Sequence, residues 1–393
     1  MRKIIVQNLS ELISKYYKRK FWKRLIKDIK IKNPKIQNGD QSIPFINKPG
    51  IAFSFDDSFR INDWYKYGKD LFGYYDVKAT FNINTFHHYE GQREHTQEEI
   101  DMLIELQSNG HEMAHHGYNH ENAANYTNEY GVNPWIENEI KPLFSWIDNQ
   151  IHSKTGEKLK KPVTFAFPYT GYTDSLVSEI APKYFKTVRG ELTNNNLVSF
   201  DHSGFAPSIC IDKVKLDDPK FVKEILKIVK ESGKNVIFMC HSILPDEIDW
   251  NDFGWEKQSE ESGKWRVSPK TMQSIIEEAK KMDLEFYTTS EIAGVATFID
   301  PNMERAIREL ISDPFEQWIS IVELSKITEL DLSGKNISNL DGIQYFLNLE
   351  KLNLSDNNIS DFRLLDKLTK LSNVDCRNNA HKDNEYYSKK IAE

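Results

Sequence analysis

The chain of 393 residues has only three cysteines, too few for a disulfide framework, so a small secreted fold stapled by cystine bridges is excluded. It has no run of about 18 apolar residues, which leaves no transmembrane helix to be read from it. Behind Met1-Arg2-Lys3 it lacks the apolar core of a signal peptide, because Gln7, Asn8, Ser10, Glu11 and Ser14 interrupt that stretch. On this reading the protein is expected in the cytoplasm. The body of the chain also lacks excess positive charge. The total is 51 Lys+Arg against 59 Asp+Glu, a net of −8. Twelve of those cations stand before residue 37, with only Glu11 and Asp28 among the acids, so that segment carries +10 and the remainder −18. An acidic body argues against nucleic acid as a partner, since phosphate binding needs a basic face.

What is present reads as a globular chain of two or three domains, at about 100–200 residues each. Residues 9–31 place Leu12, Ile13, Tyr16, Tyr17, Phe21, Trp22, Leu25, Ile26 and Ile29 at roughly helical spacing among lysines and arginines. This basic amphipathic helix has two readings. One is peripheral contact with an anionic membrane surface or an acidic partner; the other is a helix packed on the body with a solvated basic face. Turn residues from Asn33-Pro34 to Pro49-Gly50 mark a linker, so residues 1–49 are expected to form a helix and linker.

Between residues 50 and 299, short apolar runs alternate with helical stretches. Strands are expected at Ile51–Phe55, Val77–Asn82, Glu112–Ala114, Val163–Phe167, Tyr184–Val188, Asn235–Cys240 and Leu284–Tyr287. Helices are expected at Glu98–Ser108, Asn133–Ile151, Pro219–Glu231 and Pro269–Met282. Strands separated by helices of this length imply parallel βα units, and roughly 250 residues with about seven such units suit a barrel-like α/β domain.

From Asp300 the pattern changes. Ile327, Leu330, Leu332 and Ile337 recur 22 residues later as Leu349, Leu352, Leu354 and Ile359, and again in part as Leu371, Val374 and Cys376. This is leucine-rich repeat spacing, with Asn357 and Asn379 at the ladder position and Lys335 in place of the first Asn. The preceding Met303–Ile311 stretch resembles the helical cap that opens bacterial leucine-rich arrays. So short an array has little core of its own, and residues 300–393 are expected to lean on the preceding domain.

Four groups of chemistry-bearing residues stand at expected strand ends. Phe53-Ser54-Phe55-Asp56-Asp57-Ser58 ends a strand in two adjacent carboxylates, which are costly when desolvated unless a metal or cation meets one of them. Gly110-His111-Glu112-Met113-Ala114-His115-His116-Gly117-Tyr118-Asn119-His120 holds four of the chain's eleven histidines. His116 and His120 at i and i+4 are expected on one side of a helical turn, and with a carboxylate they make an open transition-metal site. Phe165-Ala166-Phe167-Pro168-Tyr169-Thr170-Gly171 is a tight turn that can present a backbone N–H to an oxyanion. His241 closes the run Val236-Ile237-Phe238-Met239-Cys240, well placed for proton transfer. Cys240 itself reads as a buried small residue and not a nucleophile.

Taken in this order, the four motifs resemble the polysaccharide deacetylases, the NodB-homology enzymes of carbohydrate esterase family 4. Val267-Ser268-Pro269 and Phe286-Tyr287-Thr288-Thr289-Ser290-Glu291-Ile292 resemble that domain's last helix and strand. The resemblance spans about residues 50–295 and implies a distorted (β/α) barrel. It implies a metal-dependent hydrolase that removes N-acetyl groups from an amino-sugar-containing saccharide by attack of a metal-bound water. Asp57, His116 and His120 would hold a divalent metal, zinc by preference. Asp56 would be the general base, the Tyr169 backbone N–H would meet the oxyanion, and His241 would protonate the leaving amine.

Three departures from the family pattern stand out. Ser54 and Ser58 replace the usual Thr and Gly of the first motif. Ala166 stands where an Arg often precedes the Pro, and Arg189 is a candidate to supply that charge. Thr170 is inserted between Tyr169 and Gly171. His115, often Ser in the family, reads equally as a residue behind the ligands or as solvent-facing. Trp250, Trp255 and Trp265 could stack on sugar rings or pack a lid. Two other functions remain open: a weakly active scaffold acting through protein binding by the repeats, and a deacetylase or amidase for another acyl substrate. All five of Asp56, Asp57, His116, His120 and His241 are present, which favours an active enzyme.

Overall fold

The computed structural model describes residues 2–36, 48–87, 93–181, 183–192, 195–216, 218–248, 263–311 and 318–380. Eight parallel strands form its main sheet: β1 (Gly50–Phe55), β2 (Thr80–Ile83), β3 (Glu112–His115), β4 (Thr164–Ala166), β5 (Thr187–Glu191), β6 (Gly204–Cys210), β7 (Val236–Cys240) and β8 (Glu285–Tyr287). β1 pairs with β7 along Ile51–Phe55, which closes seven strands into a ring. On its other edge β1 is shared: its start pairs with β8 and its end with β2. This division of one edge between two strands is the distortion of the barrel. The (β/α) barrel expected from the sequence is therefore the observed fold.

Strands β1 and β7 are nearly continuous apolar runs because helices cover the barrel's outer face. Phe53, Phe55, Phe81, Phe238 and Val236 are buried in one core with Leu103, Ile225, Leu226 and Ile276 of the covering helices. Those helices include α2 (Gln97–Ser108), α3 (Lys220–Ser232) and α4 (Pro269–Lys281). The Thr96 capping box opens α2, and Gly233 in the left-handed region ends α3. Two expectations need correction. β6 was not expected as a strand, because Pro207 breaks its signal; in the barrel Pro207 lies opposite Gly190 of β5. The single helix expected over 133–151 is broken into Val132–Trp135, a wide π turn at Ile136–Ile140, and Lys141–Asp148.

The N-terminal helix α1 (Arg2–Lys32) lies against α3. Trp22 and Ile29 are fully buried, Trp22 stacks on Phe221 at 6.0 Å between ring centroids, and its Nε1–H donates to Lys215 O at 2.9 Å. Among the described residues no helix is long and apolar enough to cross a membrane. Most of the expected linker, residues 37–47, lies outside the described residues.

After helix α5 (Pro301–Leu310) the chain coils into three rungs, β9 (Glu329–Asp331), β10 (Lys351–Asn353) and β11 (Asn373–Asp375), paired in parallel. Each rung pairs with the residue 22 positions on, as in Leu330–Leu352–Val374. Asn357 bonds both neighbours of the turn: its Nδ2 donates to Leu332 O and Leu354 O, and its Oδ1 accepts from the Lys335 and Ile337 N–H groups. Asn379 repeats part of this pattern one rung later. The coil's core runs on into Ala296 and Phe298. Lys78 pairs with Asp341 at 2.5 Å and Tyr345 Oη–H donates to Glu291 at 2.6 Å, so the coil is fastened to the barrel's N-terminal end.

Candidate active site

The C-terminal ends of the barrel strands surround a cleft of ≈ 510 Å³ lined by Asp56, Asp57, His116, His120, Tyr169 and His241. The structure thus brings every site residue expected from the sequence to one place. The pair at the end of β1 shows how. Alternate residues of a strand face opposite ways, so two adjacent carboxylates cannot both look inward from a regular strand. Here the strand stops at Phe55, and Asp57 takes φ 72° and ψ 91°, which turns both acids into the cleft. Such a backbone is strained for a residue with a Cβ, and the next residue secures it. Ser58 N–H donates to Asn84 Oδ1 at 3.0 Å, and its hydroxyl donates to Asn84 O at 2.8 Å and lies 2.8 Å from His95 Nε2. Ser58 therefore ties the loop down by its own side chain.

His116 directly follows β3. Its Nδ1–H donates to Ala166 O at 2.8 Å, which leaves Nε2 as a lone-pair donor. The helical turn expected from His116 to His120 is absent. Residues 117–120 form a loop, and His120 sits at φ 60°. The loop is folded around the buried Glu139, which accepts the N–H groups of Asn119 and Glu121 and the Asn119 side-chain amide. Gly117 is required there: at φ 82°, a Cβ would meet Glu139 Oε2 at 2.7 Å. His115 is neither solvent-facing nor in the cleft. It is fully buried among Phe144, Phe165 and Phe185, its Nε2–H meets Ile140 O, and its Nδ1 accepts the Gly117 N–H.

His116 Nε2 and His120 Nε2 lie 3.3 and 2.9 Å from Asp57 Oδ1. All three ligand atoms fall within 4.8 Å of one another, the one such group of three among the described residues. Ligands about 2.0–2.2 Å from a tetrahedral zinc ion stand about 3.4 Å apart, close to this spacing. Asp57 Oδ1 is buried yet has no hydrogen bond of acceptable angle. Convergence on a common point without donor geometry is what a cation requires, so a carboxylate with two imidazoles fits a divalent metal. Burial opposes charge on Asp57, but His120, His116 and His241 hold it well below the usual carboxylate range.

Asp56 is buried next to this group. Its Oδ1 accepts from Asn82 Nδ2 at 2.9 Å and is paired with Arg189. Arg189 lies on β5 directly opposite Ala166 on β4. The cation missing before Pro168 is thus supplied from the neighbouring strand, at the paired position. His241 stands on the other side, its Nε2 3.9 Å from Asp57. Its Nδ1–H donates to Asp212 Oδ2 at 2.6 Å, and Asp212 Oδ1 also accepts its backbone N–H. Burial pulls the imidazole's pKa down, but Asp212 outweighs that and raises it above the ordinary histidine value. Asp212 was missed from the sequence because it follows the unrecognised β6; an acid directly after Ile209-Cys210-Ile211 was the available signal.

Tyr169 and Thr170 both sit in the left-handed region, at φ 55° and 54°, so the inserted residue is absorbed by a second unusual conformation. The Tyr169 ring lies 4.7 Å from His120 between centroids. Trp265 lines the cleft 5.2 Å from the His241 ring, while Trp250 and Trp255 lie outside the described residues. Cys240 is fully buried, and burial pushes its thiol well above its usual value, so it is no nucleophile.

Residues 46–187 match the family model described as polysaccharide deacetylase. No curated protein matches the chain significantly. Among solved structures, a carbohydrate esterase family 4 pseudoenzyme from Bacillus anthracis is similar at 13% identity over 65% of this chain and 70% of its own, with a TM-score of 0.39. A family 4 esterase from Streptococcus mutans is similar at 14% identity over 62% of this chain and 87% of its own, also at 0.39. An internalin from Listeria monocytogenes is 32% identical over 22% of this chain, with a TM-score of 0.20; the match covers 25% of the internalin's length.

Proposed function

We propose that residues 50–299 form a metal-dependent deacetylase that hydrolyses the N-acetyl group of an amino-sugar-containing saccharide. The observation that carries this reading is the convergence of Asp57, His116 and His120, flanked in the same cleft by an Arg-paired Asp56 and an Asp-paired His241. The match of residues 46–187 to a polysaccharide deacetylase model supports the substrate class. Asp57, His116 and His120 would hold the cation, zinc by preference. Such an ion supplies Lewis acidity, which favours deprotonation of water and polarises the amide carbonyl.

The chain's own groups divide the proton transfers. Asp56, oriented by Arg189 and Asn82, accepts a proton from the attacking water. The tight turn at Tyr169 provides a backbone N–H for the developing oxyanion. His241 gives its Nε2 proton to the departing nitrogen, while Asp212 fixes its tautomer by holding Nδ1–H. Water and amide are consumed, and acetate and a free amine are formed. We read the C-terminal coil as a leucine-rich repeat module; its ties to Lys78 and Glu291 favour docking on the barrel as one of its roles, with a protein partner as the other.

The test is acetate release from N-acetylglucosamine oligomers by the metal-loaded chain, with metal content measured alongside. Release from an O-acetyl ester or a peptide amide, with none from the oligomers, would move the reading to another acyl substrate. A chain that binds metal and releases acetate from none of them would be a scaffold.

A further inference from the structure

α1 has two apolar faces, and the barrel uses only one. Trp22 and Ile29 face inward with the half-buried Leu25 and Ile26. At 100° per residue, Leu12, Ile13, Tyr16, Tyr17 and Phe21 centre on the opposite side. All five are 48% to 64% exposed. Lys20, Lys23, Arg24 and Lys27 are exposed on the same outward side, and from Leu12 to Lys32 the sequence holds one acid, Asp28. A solvated helix face has no use for five large apolar side chains. Asp28 pairs with Arg24 at 3.7 Å, and the excess of lysines that remains would repel a second copy of the same face.

The helix is also placed at the cleft. Trp22 meets Phe221 near the start of α3, and the Ile36 N–H meets Glu231 O near its end, so α1 runs in the same direction as α3. α3 starts at the strand ends that form the cleft. The part of α1 before Trp22 therefore runs on past that rim, and Leu12 stands about 15 Å beyond Trp22 along the axis. Lys18 Nζ–H donates to Lys213 O and Trp22 to Lys215 O. Both acceptors belong to the loop that carries Asp212 and places Lys215 in the cleft lining.

We propose that the outward face of α1 docks on an anionic lipid surface. Tyr16, Tyr17 and Phe21 enter the interface, and the lysines meet lipid phosphates. Docking there puts the cleft mouth beside the headgroups, so the saccharide acted on is one carried by a lipid; this last step rests on the deacetylase reading.

The full chain is tested by cosedimentation with phosphatidylcholine vesicles, with and without phosphatidylglycerol. Affinity is expected to be at least about tenfold higher with the anionic lipid and to fall about tenfold between roughly 0.05 and 0.5 M salt. Lys20→Glu/Lys23→Glu/Lys27→Glu is expected to lose about a hundredfold. Tyr16→Ser/Tyr17→Ser/Phe21→Ser is expected to lose about tenfold, with the thermal midpoint checked to show that each variant is folded. Equal binding to both vesicles, no binding, or variants that bind like the parent would overturn the proposal, as would sedimentation showing this face paired with a second copy. In a second arm, the ratio of acetate release from lipid-carried to soluble N-acetylglucosamine falls about tenfold in the charge variant. Should neither substrate release acetate, the deacetylase reading fails, while the vesicle arm still decides the docking.

Discussion

Asp57 is the residue under the greatest constraint: it is strained in backbone, buried in carboxylate, and faced by two imidazole nitrogens. Asp57→Ala and His116→Ala are expected to lose both bound metal and acetate release, as measured by metal analysis and turnover. Asp56→Asn is expected to keep the metal and lose about 10²–10⁴-fold in kcat; normal turnover in that variant would remove Asp56 from the role of base. Asp212→Asn is expected to lower kcat by a similar factor with metal content intact, because an amide no longer holds the His241 imidazole in one tautomer. Asp56, Asp57, His116, His120 and His241 were legible in the sequence and Asp212 was not, since acids and histidines at recognised strand ends point to metal and proton chemistry. Arg189 could be named as a candidate, but its pairing with Asp56 depends on which strands are neighbours, and spacing along the chain does not state that.

At the scale of elements, loops carry the chemistry and acquire their shape from buried anchors. Glu139 shapes the His116–His120 loop. Burial raises its carboxyl from 4.5 to about 7, against the hydrogen bonds from Asn119 and Glu121. Between those two values the folded chain holds a proton that the unfolded chain gives up. Stability is therefore expected to fall as pH rises from about 4.5 to 7, by about 3 kcal/mol, and to level off above. Urea unfolding of the parent and Glu139→Gln across this range checks it, and an unchanged slope in the variant would remove Glu139 as the cause. In the coil, Asn357→Ala is expected to cost about 2–4 kcal/mol in thermal or urea unfolding, since it strips donors and acceptors from two turns at once. The ladder asparagines were legible from the 22-residue period, whereas the loop at His116–His120 was not. An i, i+4 pair fits a helical turn equally well, and only a distant glutamate decides against it.

For the molecule as a whole, the coil and the barrel share a core at Ala296, Phe298 and Tyr345. Removing everything after Asp300 is expected to expose Phe298 and strip Glu291 of its Tyr345 hydrogen bond, lowering the thermal midpoint by at least about 5 °C. A truncated chain with an unchanged midpoint would make the coil an independent appendage. The sequence by itself determined the local matters. Apolar runs spaced by helices require parallel βα units, the repeat requires a coil of stacked rungs, and the strand-end acids and histidines mark where metal chemistry is possible. These follow from periodicity and side-chain type, which are properties of neighbours along the chain. Tertiary structure decided which strand supplies the cation to Asp56, that Asp212 stands behind His241, and that α1 turns one apolar face in and leaves another out. Each of these joins residues far apart in sequence through burial, and burial is set only when the whole sheet closes.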